Sequence, residues 1–164
     1  MAVSLTSSSS SSPHSLTLCS PRCQAEFLAT SSVAADKLYE SRVEVFEKAL
    51  AEYDGFDPLK VWEKYVKFVQ QARPADLLGL LERCTAEFKN RADLKGDIRY
   101  LKIWCLYADL CEDPADIFAF LENHGIGHNQ ALFYEARATM FEAKGDYSAA
   151  EAAFELGINR KAGH

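Results

Sequence analysis

No stretch of this 164-residue chain approaches the roughly 18 consecutive apolar residues of a membrane-spanning helix. Basic residues are in short supply. Lys and Arg number 18 against 24 Asp and Glu, for a formal charge of −6 and a pI near 5.2. A general nucleic-acid surface needs clustered Lys and Arg, so direct nucleic-acid binding is not expected. The five cysteines are an odd number, and Cys84, Cys105 and Cys111 lie in helical patterns beside aromatics. They read as reduced thiols of a cytosolic or nuclear protein rather than a disulfide framework. A chain of this size can bury about two-thirds of its unfolded surface, so it needs no disulfide or metal staple.

Catalytic and ligand-binding constellations are also missing. Gly125 and Gly127 follow no strand and lack the lysine of a phosphate-binding loop, so they read as a helix–helix turn. His124 and His128 have a zinc-compatible spacing, but the intervening glycines break a helix and no third ligand is near. Cys19 and Cys23 have no second cysteine pair. We therefore expect no catalytic, cofactor-binding or metal-binding residue. Trp62, Trp104, Tyr107 and Tyr134 could stack on a ligand, but at helical spacing they read as core, each burying about 150–250 Å². Arg99 sits in an apolar helix and is expected to pair with Asp97 or Asp109. Arg160 and Lys161 read as favourable charge at a helix end.

The first 35 residues differ from the rest. Ser7 to Ser12 is a serine run, Arg22 is the only basic residue, and Glu26 is the first acidic one. Such a composition cannot build a core and reads as a disordered tail over 1–35. Its Ser-rich, acid-poor character is also that of a plastid transit peptide, although such peptides carry more arginine.

What the chain does have is a pair of aromatic helical blocks 34 residues apart, DIRYLKIWCLYADLC and ALFYEARATMFEAKG. Tyr100 recurs as Tyr134, Trp104 as Ala138, Tyr107 as Phe141 and Phe120 as Phe154. That period marks a tetratricopeptide (TPR)-type array. In the second block, Tyr134, Ala138, Phe141, Gly145, Tyr147, Ala150 and Phe154 take the aromatic, small, aromatic, turn, aromatic, small and aromatic positions of one unit. The first block is more degenerate, with Trp104 at a small position and Cys111 at the turn.

From Asp36 onward the chain reads as short-linked helices. Leu38, Val43, Phe46, Ala49, Leu50 and Tyr53 give one face, and Asp57-Pro58 opens the next helix with Asp57 as cap. Its stripe is Val61, Trp62, Tyr65, Phe68 and Val69. Leu77, Leu78, Leu80, Leu81, Cys84 and Phe88 form a third stripe after Pro74. Asp97, Asp113 and Asp146 cap later helices, and Gly145 ends one. The expected fold is all-α, with about seven helices in antiparallel TPR-like pairs forming a short α-solenoid over 36–164.

The segments EYDGFDPLKVWEKYVKF, LLERC, DIRYLKIWCLYADLC, IFAFLENHGIG, ALFYEA and ELGINRKA, in that order, resemble the N-terminal TPR-like domain of the Bub kinases and Mad-type proteins of the spindle assembly checkpoint. The resemblance implies a non-enzymatic interaction module, a short plant-like member of that family. The location it implies is the nucleus and the kinetochore or centromere in mitosis, with a cytoplasmic pool. It implies as partners other checkpoint proteins and a kinetochore scaffold, whose short amphipathic helix takes the outer helical face. Carried over position by position, the scaffold contacts fall on Cys105, Met140 and Lys144. Only Lys144 keeps the family's basic character: Cys105 stands where a larger aliphatic is expected and Met140 where an acid is. Arg137 replaces a usual tryptophan. Helical spacing places this patch on the surface, since Cys105 follows Trp104 and Met140 precedes Phe141, both expected to be buried. The sequence contains neither a Lys-Glu-Asn box nor the kinase HRD, DFG and glycine-rich motifs.

Three other readings remain. A TPR adaptor or cochaperone-like scaffold without a checkpoint role would need a basic clamp, which the acidic balance disfavours. A cysteine enzyme would need a histidine paired with Cys84, Cys105 or Cys111. A plastid-targeted TPR scaffold is the third.

Overall fold

The two aromatic blocks, 34 residues apart, become the first helices of two consecutive helix pairs in a computed structural model, which describes residues 21–163 and side chains from Ser32 onward. The helices are α1 (Pro21–Ala51), α2 (Leu59–Ala72), α3 (Leu77–Phe88), α4 (Ile98–Leu110), α5 (Pro114–His124), α6 (Ala131–Ala143) and α7 (Tyr147–Asn159). Short 3-10 turns, Pro74–Asp76 and Ala92–Leu94, precede α3 and α4. Among the described residues there is no β-strand, only a single bridge between Gln130 and Gly163. The seven helices and the all-α architecture expected from the sequence are present.

The chain divides near Ser41 into two units, so the second part of α1 belongs with residues 42–164. Within that larger unit, sequential helices pack as neighbours, and α2, α4 and α6 also touch in succession. This is the two-row arrangement of helix-pair repeats, in which each pair buries its apolar side on the next.

Aromatic rings carry the core across the pairs. Trp62 meets Phe88 edge-on at 6.2 Å, Phe88 meets Tyr100 at 6.3 Å, and Tyr100 meets Trp104 at 6.1 Å. Trp104 then lies 5.1 Å from Phe120. Edge-to-face contacts of this kind add to the burial of each ring. On the α1 side, Phe46 stacks on Tyr65 at 4.9 Å. A second, smaller cluster of Ala138, Ala150 and Ala153 lets α6 and α7 approach closely. Gly157 serves the same end, because a Cβ there would sit 2.7 Å from Tyr134 Cγ.

The caps hold at three of four expected places. Asp97 accepts from the Arg99 backbone N–H at 2.8 Å, Asp113 from Ala115 at 3.1 Å and Asp146 from Ala149 at 3.0 Å. Gly125 and Gly145 end their helices in the left-handed region, at φ 69° and 77°. Asp57 does not cap. Pro58 is the N-cap of α2 and makes no side-chain bond, while the Asp57 carboxylate accepts from Arg99 Nη1 at 2.7 Å. Arg99 also donates to both Asp97 oxygens, at 3.1 and 2.7 Å, so one guanidinium ties the α1–α2 link to the start of α4. Asp109 is not its partner.

Four further expectations change. The first helix starts at Pro21 rather than near Asp36, with proline in the first turn, where its missing N–H costs nothing. Leu38 and Leu78 are exposed, because each lies on the solvent edge of its stripe. Tyr147 and Phe154 are exposed rather than buried, since no further described helix covers that flank of α7. Phe141 is half-buried. The serine run and Cys19 lie outside the described residues.

Candidate functional site

Lys144 is the C-cap of α6 and is exposed. Its ammonium donates to Asp113 Oδ1 at 3.0 Å. Asp113 is itself the cap of α5, and the Lys144 hydrogen bond, followed by the Ala115 backbone bond, holds its carboxyl below the usual range. Both side chains are about half in solvent, so the pair adds little to stability and can be displaced by a ligand.

Cys105 and Met140 are not beside Lys144 on an exposed patch. Met140 is buried, at 7% exposure, within the main core. Cys105 is half-buried against the same core, and burial pushes its thiol up to about 12, with the Asp109 charge adding. The neighbour rule failed because α6 is packed on two sides. It meets α7 through Ala138, and on another side it meets α4 and α5, with Phe133 6.2 Å from Phe118 of α5. Two sides of a helix so flanked are apolar, and Phe141, at the edge of the α7 contact, is the less buried neighbour.

The strip that does include Lys144 is Arg137 and Phe141, both half-buried, with exposed Lys144, at i, i+4 and i+7 along α6 and its C-cap and hence on one face. The Arg137 guanidinium lies 5.7 Å from the Phe141 ring centroid, within cation–π range. Beside it a cleft runs to α7, lined by Arg137, Phe141, Ala149, Ala152, Ala153 and Leu156. The alanines leave room for an inserted side chain. The strip was legible as i, i+4, i+7 spacing, but the aromatic repeat assigned Phe141 to the core.

The strip is anchored by Glu122 of α5. That carboxylate accepts from Arg137 Nη1 at 3.2 Å and from Arg160 Nη2 at 2.9 Å, with His128 Nε2 3.7 Å away. Arg160 Nη1 donates to the Tyr134 hydroxyl at 3.1 Å, and that hydroxyl donates to the His128 carbonyl at 2.8 Å. Arg160 is therefore a tie between three helices, more than favourable charge at a helix end.

Other candidate chemistry has structural employment. The His124 ring stacks on Phe120 at 3.9 Å, and its Nδ1 lies 2.8 Å from the Phe120 carbonyl. Cys84 is buried, and desolvation pushes its thiol up to about 12, which disfavours a nucleophilic thiolate. Among the described residues, no group of three or more His, Cys, Asp or Glu side chains is placed to hold a metal, and no helix is long and apolar enough to cross a membrane.

The sequence matches the Mad3/BUB1 homology region 1 family over residues 41–158. The chain belongs to the Mad3/BUB1 homology region 1 family. It is 40% identical over 130 residues to the mitotic spindle checkpoint protein BUBR1 of Arabidopsis thaliana, covering 76% of this chain and 33% of that protein. It is 38% identical over 112 residues to the mitotic spindle checkpoint component mad3 of Schizosaccharomyces pombe, covering 65% and 36%. With the human mitotic checkpoint kinase BUB1 beta it shares 33% identity over 134 residues, 79% of this chain and 13% of the kinase. The chain thus spans about a third of the first two relatives and far less of the kinase.

Among solved structures, a chain of the mitotic checkpoint complex superposes with a TM-score of 0.68 at 33% identity, covering 80% of this chain and 63% of that one. The conserved N-terminal domain of the checkpoint component BUB1 superposes with a TM-score of 0.69 at 24% identity, over 77% and 70%. The second likeness shows the shared all-α fold. This chain carries a homology region 1 module, and these relatives are mitotic checkpoint proteins.

Proposed function

We propose that this module acts without catalysis in the mitotic spindle assembly checkpoint, docking at kinetochores by seating a short amphipathic helix of a kinetochore scaffold. The observation that carries the reading is the family match over 41–158, joined to a part-apolar cleft between α6 and α7 beside Lys144. Lys144, released from Asp113, offers a cation at one end of the strip. Phe141 and the α7 alanines offer an apolar seat, the part of such an interface that carries most of its energy. Of the three contact residues expected from the resemblance, only Lys144 is exposed, so it carries the test, while Cys105 is half-buried and Met140 buried. Nuclear residence with a kinetochore pool in mitosis, and contact with other checkpoint proteins, go with this role.

The test is the position of a fluorescently tagged chain in cells arrested with a microtubule poison. Discrete kinetochore foci that vanish with Lys144→Glu, while the purified variant melts as the parent does, are the expected result. A diffuse or plastid signal for the parent chain would refute it.

A further inference from the structure

Helices α2 and α4 leave a groove between them, inside the array. Its wall on α2 is Glu63, Val66, Lys67 and Gln70, and its wall on α4 is Arg99, Lys102, Ile103 and Leu106. Both sets fall at i, i+3, i+4 and i+7, so each helix lends one continuous face of two turns, about 10 Å long. Both walls are held by neighbours on their other sides. Phe46 of α1 stacks on Tyr65 of α2, α3 packs on both helices, and α5 and α6 pack on α4. The groove thus lies between consecutive repeats. Its space of about 200 Å³ is below the roughly 300–1,000 Å³ of a small-molecule pocket, and it suits one or two side chains of a peptide.

The chemistry of the walls says what fits. Val66 and Ile103 are buried and Leu106 is half-buried, so the bottom of the groove is apolar. No aromatic ring lines it, which removes the stacking platform that single-stranded nucleic acid uses. The rim is cationic. Lys67 and Lys102 are exposed, and so is Lys64, one turn before Lys67 on the same helix. Among the described residues, no ion pair or side-chain hydrogen bond holds any of the three. Arg99 is committed to Asp57 and Asp97, and Glu63 is the one acid of the lining. Three unengaged ammonium groups run against the balance of a chain with formal charge −6. A second copy laid face to face would set Lys against Lys, and the first 35 residues hold one acid, Glu26, so neither complements the groove.

We propose that the α2–α4 groove docks an acidic segment of a partner protein, which lays an aliphatic side chain over Val66, Ile103 and Leu106 and sets its carboxylates against Lys64, Lys67 and Lys102. The surface is separate from the Lys144 strip, and the proposal does not depend on that strip's role.

A peptide of four Glu-Glu-Leu units, acetylated and amidated so that it offers no terminal carboxylate, serves as the probe. It is titrated into the isotope-labelled full chain and followed by amide chemical shifts. Shifts should gather on residues 63–70 and 99–106. The same peptide with Lys for Glu should not bind, and Ser for Leu should weaken binding at least about tenfold. Lys67→Glu combined with Lys102→Glu should weaken it by as much, while circular dichroism and melting stay as in the parent. Lys67→Ala with Lys102→Ala stands in should the charge reversals disturb folding. Lys144→Glu should leave the affinity for this peptide unchanged. The proposal is overturned by no saturable shift at millimolar peptide, by shifts that map to another face, by equal binding of the basic peptide, or by variants that bind as the parent does. It is also overturned if a single-stranded oligonucleotide takes the same residues more tightly than the peptide. A dimer in sedimentation that Lys67→Glu with Lys102→Glu dissolves would overturn it too, because the occupant would then be a second copy.

Discussion

Replacing Gly157 with alanine should destabilise the protein, although alanine is the better helix former. In an exposed helix the change gains up to about 1 kcal/mol. Here the new methyl would lie 2.7, 2.9 and 3.0 Å from Cγ, Cδ2 and Cβ of Tyr134, and atoms at the root of a side chain cannot swing away. The far end of that ring is also held, by the His128 carbonyl and by Arg160. Overpacking of this kind costs about 1–3 kcal/mol. The expected net loss is about 1–2 kcal/mol, or roughly 2–8 °C in Tm at this chain length. Gly79 in α3 is the control. It has nothing within 4 Å of its would-be Cβ, so Gly79→Ala should stabilise by about 0.5–1 kcal/mol. Urea and thermal unfolding of both variants measure the two signs. Adding Tyr134→Phe to Gly157→Ala should recover part of the loss by freeing the ring to tilt. If Gly157→Ala stabilises as Gly79→Ala does, the α6–α7 contact is looser than described.

Trp104→Ala, at the middle of the aromatic ladder, should cost about 3–5 kcal/mol, measured by urea unfolding. Asp97 is held below its ordinary pKa chiefly by its hydrogen bond to Arg99, and Asp57 likewise. Their contribution is therefore full above about pH 4 and is lost as pH falls through the lowered folded values, so Tm should drop on acidification below that point. Asp97→Asn should flatten that drop, and an unaltered pH profile would exclude the Arg99 cluster as its source. Cys84 and Cys105, with thiols pushed up to about 12, should alkylate with iodoacetamide far more slowly in the native protein than in urea at neutral pH. Rapid native labelling of Cys105 would place it on the surface after all.

The helices and most of their ends were legible because they depend on neighbours in sequence. The 34-residue aromatic recurrence set the pairs, and Asp97, Asp113 and Asp146 each cap a backbone N–H two or three residues away. Asp57 was misread because its partner, Arg99, is 42 residues off, and no local pattern ranks that bond above a cap. The site was harder for a related reason. Helix α6 carries apolar residues on two sides, so spacing alone does not tell Met140, which faces the core, from Phe141 at the edge of the cleft. The Glu122 tie joins residues from three helices, each of which reads in isolation as an ordinary surface charge.

That tie bears on how the array comes apart. Helix-pair arrays interact only with neighbours and ordinarily fray from the end, one unit at a time. Here the first residue after α7, Arg160, is bonded to Glu122 of α5, and the same carboxylate holds α6 through Arg137. Peeling α7 away must therefore break a contact two helices back. The amides of α6 and α7 should then exchange with solvent in one concerted opening rather than helix by helix.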